Sequence, residues 1–119
     1  MGKNHQSNIK NAARINRIVR NQLTDLIVHE QLILTHARAK KISRQMDRLI
    51  TLGKKNTLAS RRSAAKIIRK VQANENETAL QKLFILADKY QDRNGGYTRV
   101  LKLDNRKGDG APTSIIMFV

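Results

Sequence analysis

The sequence predicts an α+β fold: about four helices packed on one face of a small three-stranded mixed sheet, with a basic N-terminal arm. Three observations carry that prediction. Tyr97-Thr98-Arg99-Val100-Leu101-Lys102-Leu103 alternates with the period of a half-buried strand and contains β-branched and aromatic residues. Ser114-Ile115-Ile116-Met117-Phe118-Val119 reads as a second strand, and the turn residues Gly108-Asp109-Gly110 between the two make an antiparallel hairpin with a long basic loop. Gln31-Leu32-Ile33-Leu34-Thr35 is an apolar run too short for a helix, and supplies a third strand. A hairpin of this size needs cover on one face, which the helical remainder provides.

The N-terminal stretch, residues 1–13, is polar and basic and reads as a flexible arm that orders on nucleic acid; residues 14–119 read as one domain. No acid precedes Asp25, but the basic residues run well past any cleavage point for a targeting peptide, which disfavours that reading. The first helix is placed at residues 10–29. Its apolar side is Ile15, Ile18, Val19, Leu23, Leu26 and Ile27; Lys10, Arg14, Arg17 and Arg20 fall opposite. The second helix runs from about His36 to Leu52, with Ala39, Ile42, Met46, Leu49 and Ile50 inward and Lys40, Lys41, Arg44 and Arg48 outward. Gly53 suits the residue just past its end, where Lys54 and Lys55 complement the negative pole.

Thr57 is the expected N-cap of a third helix reaching about Val71. Leu58, Ala64, Ala65, Ile68 and Val71 face inward in that reading, leaving Arg62, Lys66, Arg69 and Lys70 outside. Residues 72–77 are a polar connector. Asn76 is a candidate cap for a fourth helix, with Glu77 at its positive end and Leu80, Leu83, Phe84 and Ala87 at core spacing up to Tyr90.

Charge gives the function class. The 119 residues carry a net charge of +15, and there is no Cys to form disulfides or thiolate metal sites. Residues 1–72 hold 17 Lys+Arg against 3 acids, a net of +14; residues 73–119 hold 7 against 6, a net of +1. A polyanionic partner is implied, and the first two thirds of the chain should meet it. No apolar run approaches the length of a membrane span.

No catalytic set and no metal site emerge. His29 and His36 would share a helix only if the strand between them were misread, and scattered histidines are more often structural. Asp88 and Asp92 have helical spacing and are better read as partners of Lys89, Arg93 or solvent than as acid/base groups. Gly95-Gly96 lacks the spacing of a phosphate-binding fingerprint, but a glycine turn flanked by Arg93 and Arg99 lets backbone amides approach phosphate. At least one of these glycines should take positive φ. Tyr97 offers a stacking face for a base, although a strand aromatic is more often core. With two Tyr, two Phe and no Trp, the chain lacks the aromatic platform of a single-strand binder, which favours recognition of structured RNA by shape and backbone.

The candidate RNA-binding residues are therefore Lys3, Lys10, Arg14, Arg17, Arg20, Arg38, Lys40, Lys41, Arg44, Arg48, Lys54, Lys55, Arg61, Arg62, Lys66 and Arg69 from the helical part. The loop and hairpin add Arg93, Asn94, Gly95, Gly96, Tyr97, Thr98, Arg99, Lys102, Arg106 and Lys107.

Several of these residues belong to a longer ordered pattern. Arg20-Asn21, Thr24 to Ile27, His29-Glu30 leading to Thr35, Ala37-Arg38-Ala39-Lys40 and Leu49 to Lys54 are followed by Arg61-Arg62 and Lys82-Leu83-Phe84. Arg93-Asn94-Gly95-Gly96-Tyr97-Thr98-Arg99, Lys102, Arg106, Gly108-Asp109 and Ala111-Pro112 complete it. In this pattern the chain closely resembles the bacterial large-subunit ribosomal protein seventeen family. The resemblance implies helices over a small three-stranded sheet and binding to large-subunit ribosomal RNA near the nascent-chain tunnel exit. It also implies contacts with neighbouring large-subunit ribosomal proteins and a cytoplasmic location. No enzymatic activity, cofactor, membrane partner or small-molecule substrate is expected. The chain departs from the family at Arg14-Ile15, where a His-Arg pair is usual, in the length of residues 72–77, and at Met117-Phe118. Two other classes compete with this reading. A small basic DNA-architectural protein would bind duplex DNA as tightly as the RNA; a nuclease would need a catalytic set that the sequence does not supply.

Overall fold

The computed structural model describes the backbone of residues 2–119 and the side chains of residues 16–119. Seven elements follow one another: α1 (Gly2–His29), β1 (Gln31–Thr35), α2 (His36–Lys55), α3 (Leu58–Ile67), α4 (Ala79–Lys89), β2 (Thr98–Lys102) and β3 (Thr113–Phe118). α1 begins ahead of residue 10, where the sequence pattern places its start. The arm expected over residues 1–13, with Lys3 and Lys10, and Arg14 and Ile15 after it, falls where side chains lie outside the described residues.

The sheet is antiparallel throughout and not mixed. β3 is central, in the order β1-β3-β2, and runs opposite to both neighbours, pairing Ile33 with Ile115 on one side and Leu101 with Ile115 on the other. β1 and β2 share a direction but never touch, so no parallel pair arises. The period of two then sorts the side chains. Leu32, Leu34, Val100, Ser114, Ile116 and Phe118 face the helices, while Ile33, Arg99, Leu101, Ile115 and Met117 line the other face.

α2 lies between the sheet and the remaining helices. All five of its expected core residues, Ala39, Ile42, Met46, Leu49 and Ile50, are buried. They meet Val19, Leu23, Leu26 and Ile27 of α1 and Ala79, Leu83, Leu86 and Ala87 of α4. Each large aliphatic side chain removed from water here contributes roughly 1.5–3 kcal/mol.

Two helix ends differ from expectation. Gly53 lies inside α2, which continues to Lys55 and ends on Asn56 in the left-handed conformation (φ 48°). A Cβ on Gly53 would stand 2.7 Å from the Ala87 Cβ, so the glycine marks close approach of α2 to α4 and not a helix stop. Asn76 does not cap α4. Its amide and that of Glu77 are both held by Asn74 Oδ1 at 2.9 Å, and the cap is Thr78, in a reciprocal capping box with Gln81.

Thr57 caps α3 as expected, paired with Ser60. That helix is shorter than its pattern. The Arg69 amide donates to Thr24 Oγ1 (3.1 Å) and its guanidinium to Asn21 Oδ1 (2.7 Å), which draws the chain along α1 and ends the helix at Ile67. Of its expected inward residues Ala64 and Ile68 are buried, whereas Leu58, Ala65 and Val71 are exposed. Ile18, expected on the apolar side of α1, is also exposed.

Candidate nucleic-acid interface

On α2 the apolar stripe consumes one side of the helix and leaves Lys41, Arg44, Arg48 and Lys55 on the opposite side, a strip about 21 Å long at 1.5 Å per residue. All four are exposed, as is Lys40 beside them. Arg17 and Arg20 of α1 and Arg62 and Lys66 of α3 are exposed too, and so is Arg69 just past α3. α1, α2 and α3 meet at a groove lined by Leu23, Gln45, Arg48, Leu49, Leu52 and Ile67, with Arg48 as its one cation. Among the described residues only two ion pairs form, Lys82 with Glu30 and Arg106 with Asp109, and neither involves these helix cations. The strip is therefore a concentrated positive field in which, among the described residues, no cation is paired with an acid.

The Arg93–Arg99 segment is built differently. Gly95 and Gly96 both have positive φ, and Gly96, at 62°, lies in the left-handed region, as the sharp turn before β2 demands. Tyr97 is buried, at 2% exposure, with its ring 5.5 Å from that of Tyr90. Its hydroxyl donates to Arg93 O at 3.0 Å and accepts from Lys54 Nζ at 2.9 Å; Lys54 Nζ also donates to Arg93 O. Two expected site residues are thereby engaged inside the turn. Tyr97 presents no ring to a base, because its ring anchors the turn to the core. Lys54 is half-buried, and its ammonium is engaged by the turn.

Thr98 also points inward. Its hydroxyl shares a 2.6 Å hydrogen bond with Ser43 Oγ and donates to Asp47 Oδ1 at 3.2 Å. Burial pushes the Asp47 carboxyl up, against hydrogen bonds from the Thr98 side chain and the Tyr97 and Thr98 backbone. Nothing in the sequence marks Ser43 or Asp47 as holding this strand. What remains outward from the loop is Arg93, Asn94, Gly96 and Arg99, all exposed, with Arg93 Nη1 donating to Gly96 O at 3.2 Å.

Other expected cations are partly engaged. Arg61 donates to Asn56 Oδ1 at 2.8 Å and lies 5.5 Å from the centre of the Phe84 ring. Arg106 is held by Asp109, whose carboxyl is lowered to about 2 by that guanidinium and by the Ala111 amide. Lys107 is exposed. Lys102 is exposed beside Ser114, its partner in the β2–β3 register, whose hydroxyl meets His36 Nδ1 at 2.7 Å. Lys82, which the charge pattern leaves unassigned, is structural: it donates to Val28 O at 3.1 Å, near the C-terminal end of α1.

The candidates thus do not make one continuous stripe. The helix strip runs along the exposed side of α2, the Arg93 turn is tied to the end of that helix by Lys54, and Arg99 stands on the sheet face that no helix covers. Among the described residues no group of three or more His, Asp and Glu could hold a metal ion, and no helix is long and apolar enough to cross a membrane.

Comparison with known proteins shows the family of the chain. The family model described as ribosomal protein L17 matches residues 18–119. The large ribosomal subunit protein bL17 of Mycoplasma capricolum is 52% identical over 111 residues, covering 92% of this chain and 93% of that protein. The bL17 of Staphylococcus carnosus is 54% identical over 107 residues, covering 86% of this chain and 88% of that protein, and that of Acholeplasma laidlawii is 48% identical over 103 residues.

Proposed function

The chain belongs to the ribosomal protein L17 family, and from that premise we propose that it is a structural protein of the bacterial large ribosomal subunit, not an enzyme. It binds large-subunit ribosomal RNA in the cytoplasm, near the nascent-chain tunnel exit and beside other large-subunit proteins. Residues 14–119 act as the RNA-binding domain. The observation that carries the reading is the outward strip of α2, with Lys41, Arg44, Arg48 and Lys55 exposed and none of them in an ion pair.

Such a strip suits the phosphate backbone of a folded RNA, whose affinity comes largely from released counterions. Arg17, Arg20, Arg62 and Lys66 extend the contact, Arg93 and Asn94 add to it from the turn beside the end of α2, and Arg99 adds to it from the uncovered face of the sheet. The turn that carries Arg93 is fixed before RNA arrives, so little ordering entropy is lost there on binding.

Sedimentation of a tagged copy from cells at low and high salt tests the reading. The protein should travel with large subunits and leave them only at high salt. Recovery on DNA, with none on large subunits, refutes it in favour of an architectural role on the chromosome.

A further inference from the structure

We infer that a notch beside the first turn of α2 receives a single unstacked nucleotide of the bound RNA, with Arg38 on its phosphate and Gln22 on a donor group of its base or ribose. The inference rests on the ribosomal RNA reading above and goes further, assigning a site and the chemistry of its ligand.

The notch is a cavity of about 320 Å³ lined by Gln22 of α1, Ile33 and Leu34 of β1, Thr35 and Arg38 at the start of α2, Arg106 of the β2–β3 loop and Thr113 of β3. Among the described residues two buried side-chain polar atoms lack any hydrogen-bond partner, Gln22 Oε1 and Arg38 Nη1. Both belong to residues lining this one cavity. Leaving a buried donor or acceptor unpaired is costly, and more so for a charged group, so the pair calls for a partner from outside the chain.

The two atoms specify that partner. Arg38 Nη1 is a charged donor and asks for an anionic oxygen; Gln22 Oε1 is an acceptor and asks for an N–H or O–H. A nucleotide carries both, in its phosphate oxygens and in an exocyclic amine or the ribose 2′-hydroxyl. The walls agree. Ile33 is 60% exposed and offers an apolar side chain to the face of a base, while Leu34 packs on the helix-facing side behind it. None of the seven lining residues is acidic, and no side chain caps the first turn of α2 at Thr35, so the positive end of that helix adds to the attraction for phosphate. Arg106 contributes less, being held by Asp109. An extruded base at a bulge or loop is the form of RNA that such a notch can take, since a stacked base cannot leave its helix to reach it.

The test uses the full chain and in vitro transcribed large-subunit ribosomal RNA, with two variants that leave the charge unchanged, Gln22→Leu and Arg38→Lys. Each should bind roughly 3- to 30-fold more weakly, the range for losing one hydrogen bond to a charged or polar group. The salt slope should match the wild type, because no cation is removed. In 2′-hydroxyl acylation mapping, the same single unpaired nucleotide should become reactive in both variants while the rest of the footprint stays. Unaltered affinity and mapping in both variants overturns the notch and leaves water to satisfy the two atoms. A photo-crosslinker at position 22 that labels a neighbouring protein and not RNA in assembled subunits also overturns it. Failure of the wild type itself to protect any RNA would instead strike the ribosomal RNA reading. Matching thermal unfolding curves for the three proteins confirm that the comparison is made on folded chains.

Discussion

Substituting Gly53 with Ala sets two known effects against each other, and the structure decides between them. Intrinsic helix propensity favours Ala over Gly by about 1 kcal/mol in a helix interior, so an open position would gain stability. Here the new methyl would stand 2.7 Å from the Ala87 Cβ, about 1 Å inside the normal carbon–carbon separation. The obstacle is a methyl fixed directly to a backbone, which has no rotamer to yield. α2 and α4 must move apart, and overpacking of this kind costs about 1–3 kcal/mol. The expected net result is destabilisation by about 1 kcal/mol. Ala87→Gly alone should cost about 2 kcal/mol, from propensity and one lost buried methyl. The double variant moves that methyl from one helix to the other, and should lie within about 0.5 kcal/mol of the wild type. A double-mutant cycle by urea unfolding, with the denaturant slope unchanged, should therefore show about 2 kcal/mol or more of favourable coupling. If Gly53→Ala stabilises by its propensity alone and the cycle is additive, close packing of α2 on α4 is not why this residue is glycine.

Three further outcomes follow from the site. Gly96→Val should cost about 1–3 kcal/mol by urea unfolding, because φ 62° excludes a β-branched residue although the space around the position is open. Gly96→Asn should cost clearly less, and equal losses would remove the backbone argument. Lys54→Met should lose roughly 1–2 kcal/mol and speed hydrogen exchange at the Gly95–Tyr97 amides, since Arg93 O and the Tyr97 hydroxyl lose their shared donor; unchanged exchange would show the turn to be held by Tyr97 alone. His36 is kept below its ordinary 6.5 by burial, then by Lys40 and Lys102, so the unfolded chain takes the proton more readily. Its contribution is complete above pH 6.5 and is lost as pH falls through the lower folded-state value. Unfolding midpoints between pH 7.5 and 5 should thus fall more steeply for the wild type than for His36→Gln, and parallel curves would contradict this.

Much of the fold was legible because it depends on local pattern. β1 occupies the five residues its apolar run marks, and the α2 stripe is buried throughout. What sequence could not resolve were choices settled by residues far away in the chain. A glycine followed by two lysines reads equally well as a helix stop, and only Ala87, across the α2–α4 contact, distinguishes the cases. Asn76 and Thr78 are both good caps; Asn74 takes the amides of Asn76 and Glu77 and leaves the role to Thr78. Among the cations the number was visible but the vocation was not. Lys54, Arg61 and Arg106 look like Arg44 in composition, yet each has an internal partner. Gln22 carried no signal at all, since an uncharged residue on a basic helix gains meaning only when β1 and the hairpin loop enclose it.

That division of cations bears on how stability and binding are connected. Those with internal partners help fix loops and helix ends, and their charge is partly spent there. Those on the α2 strip form no ion pair among the described residues, and they repel one another in the free protein. The repulsion is screened by salt and removed by a polyanion, whereas the core beneath the strip, Ile42, Met46, Leu49 and Ile50, is indifferent to both. Salt therefore acts in opposite senses on the two equilibria: it relieves the strip and raises the stability of the free chain, and it weakens the RNA complex. RNA binding in turn adds to folded-state stability by mass action, because only the folded helix presents its cations in one line. A strip that merely rested in solvent would show the first salt effect without the second, which is how the two roles are told apart.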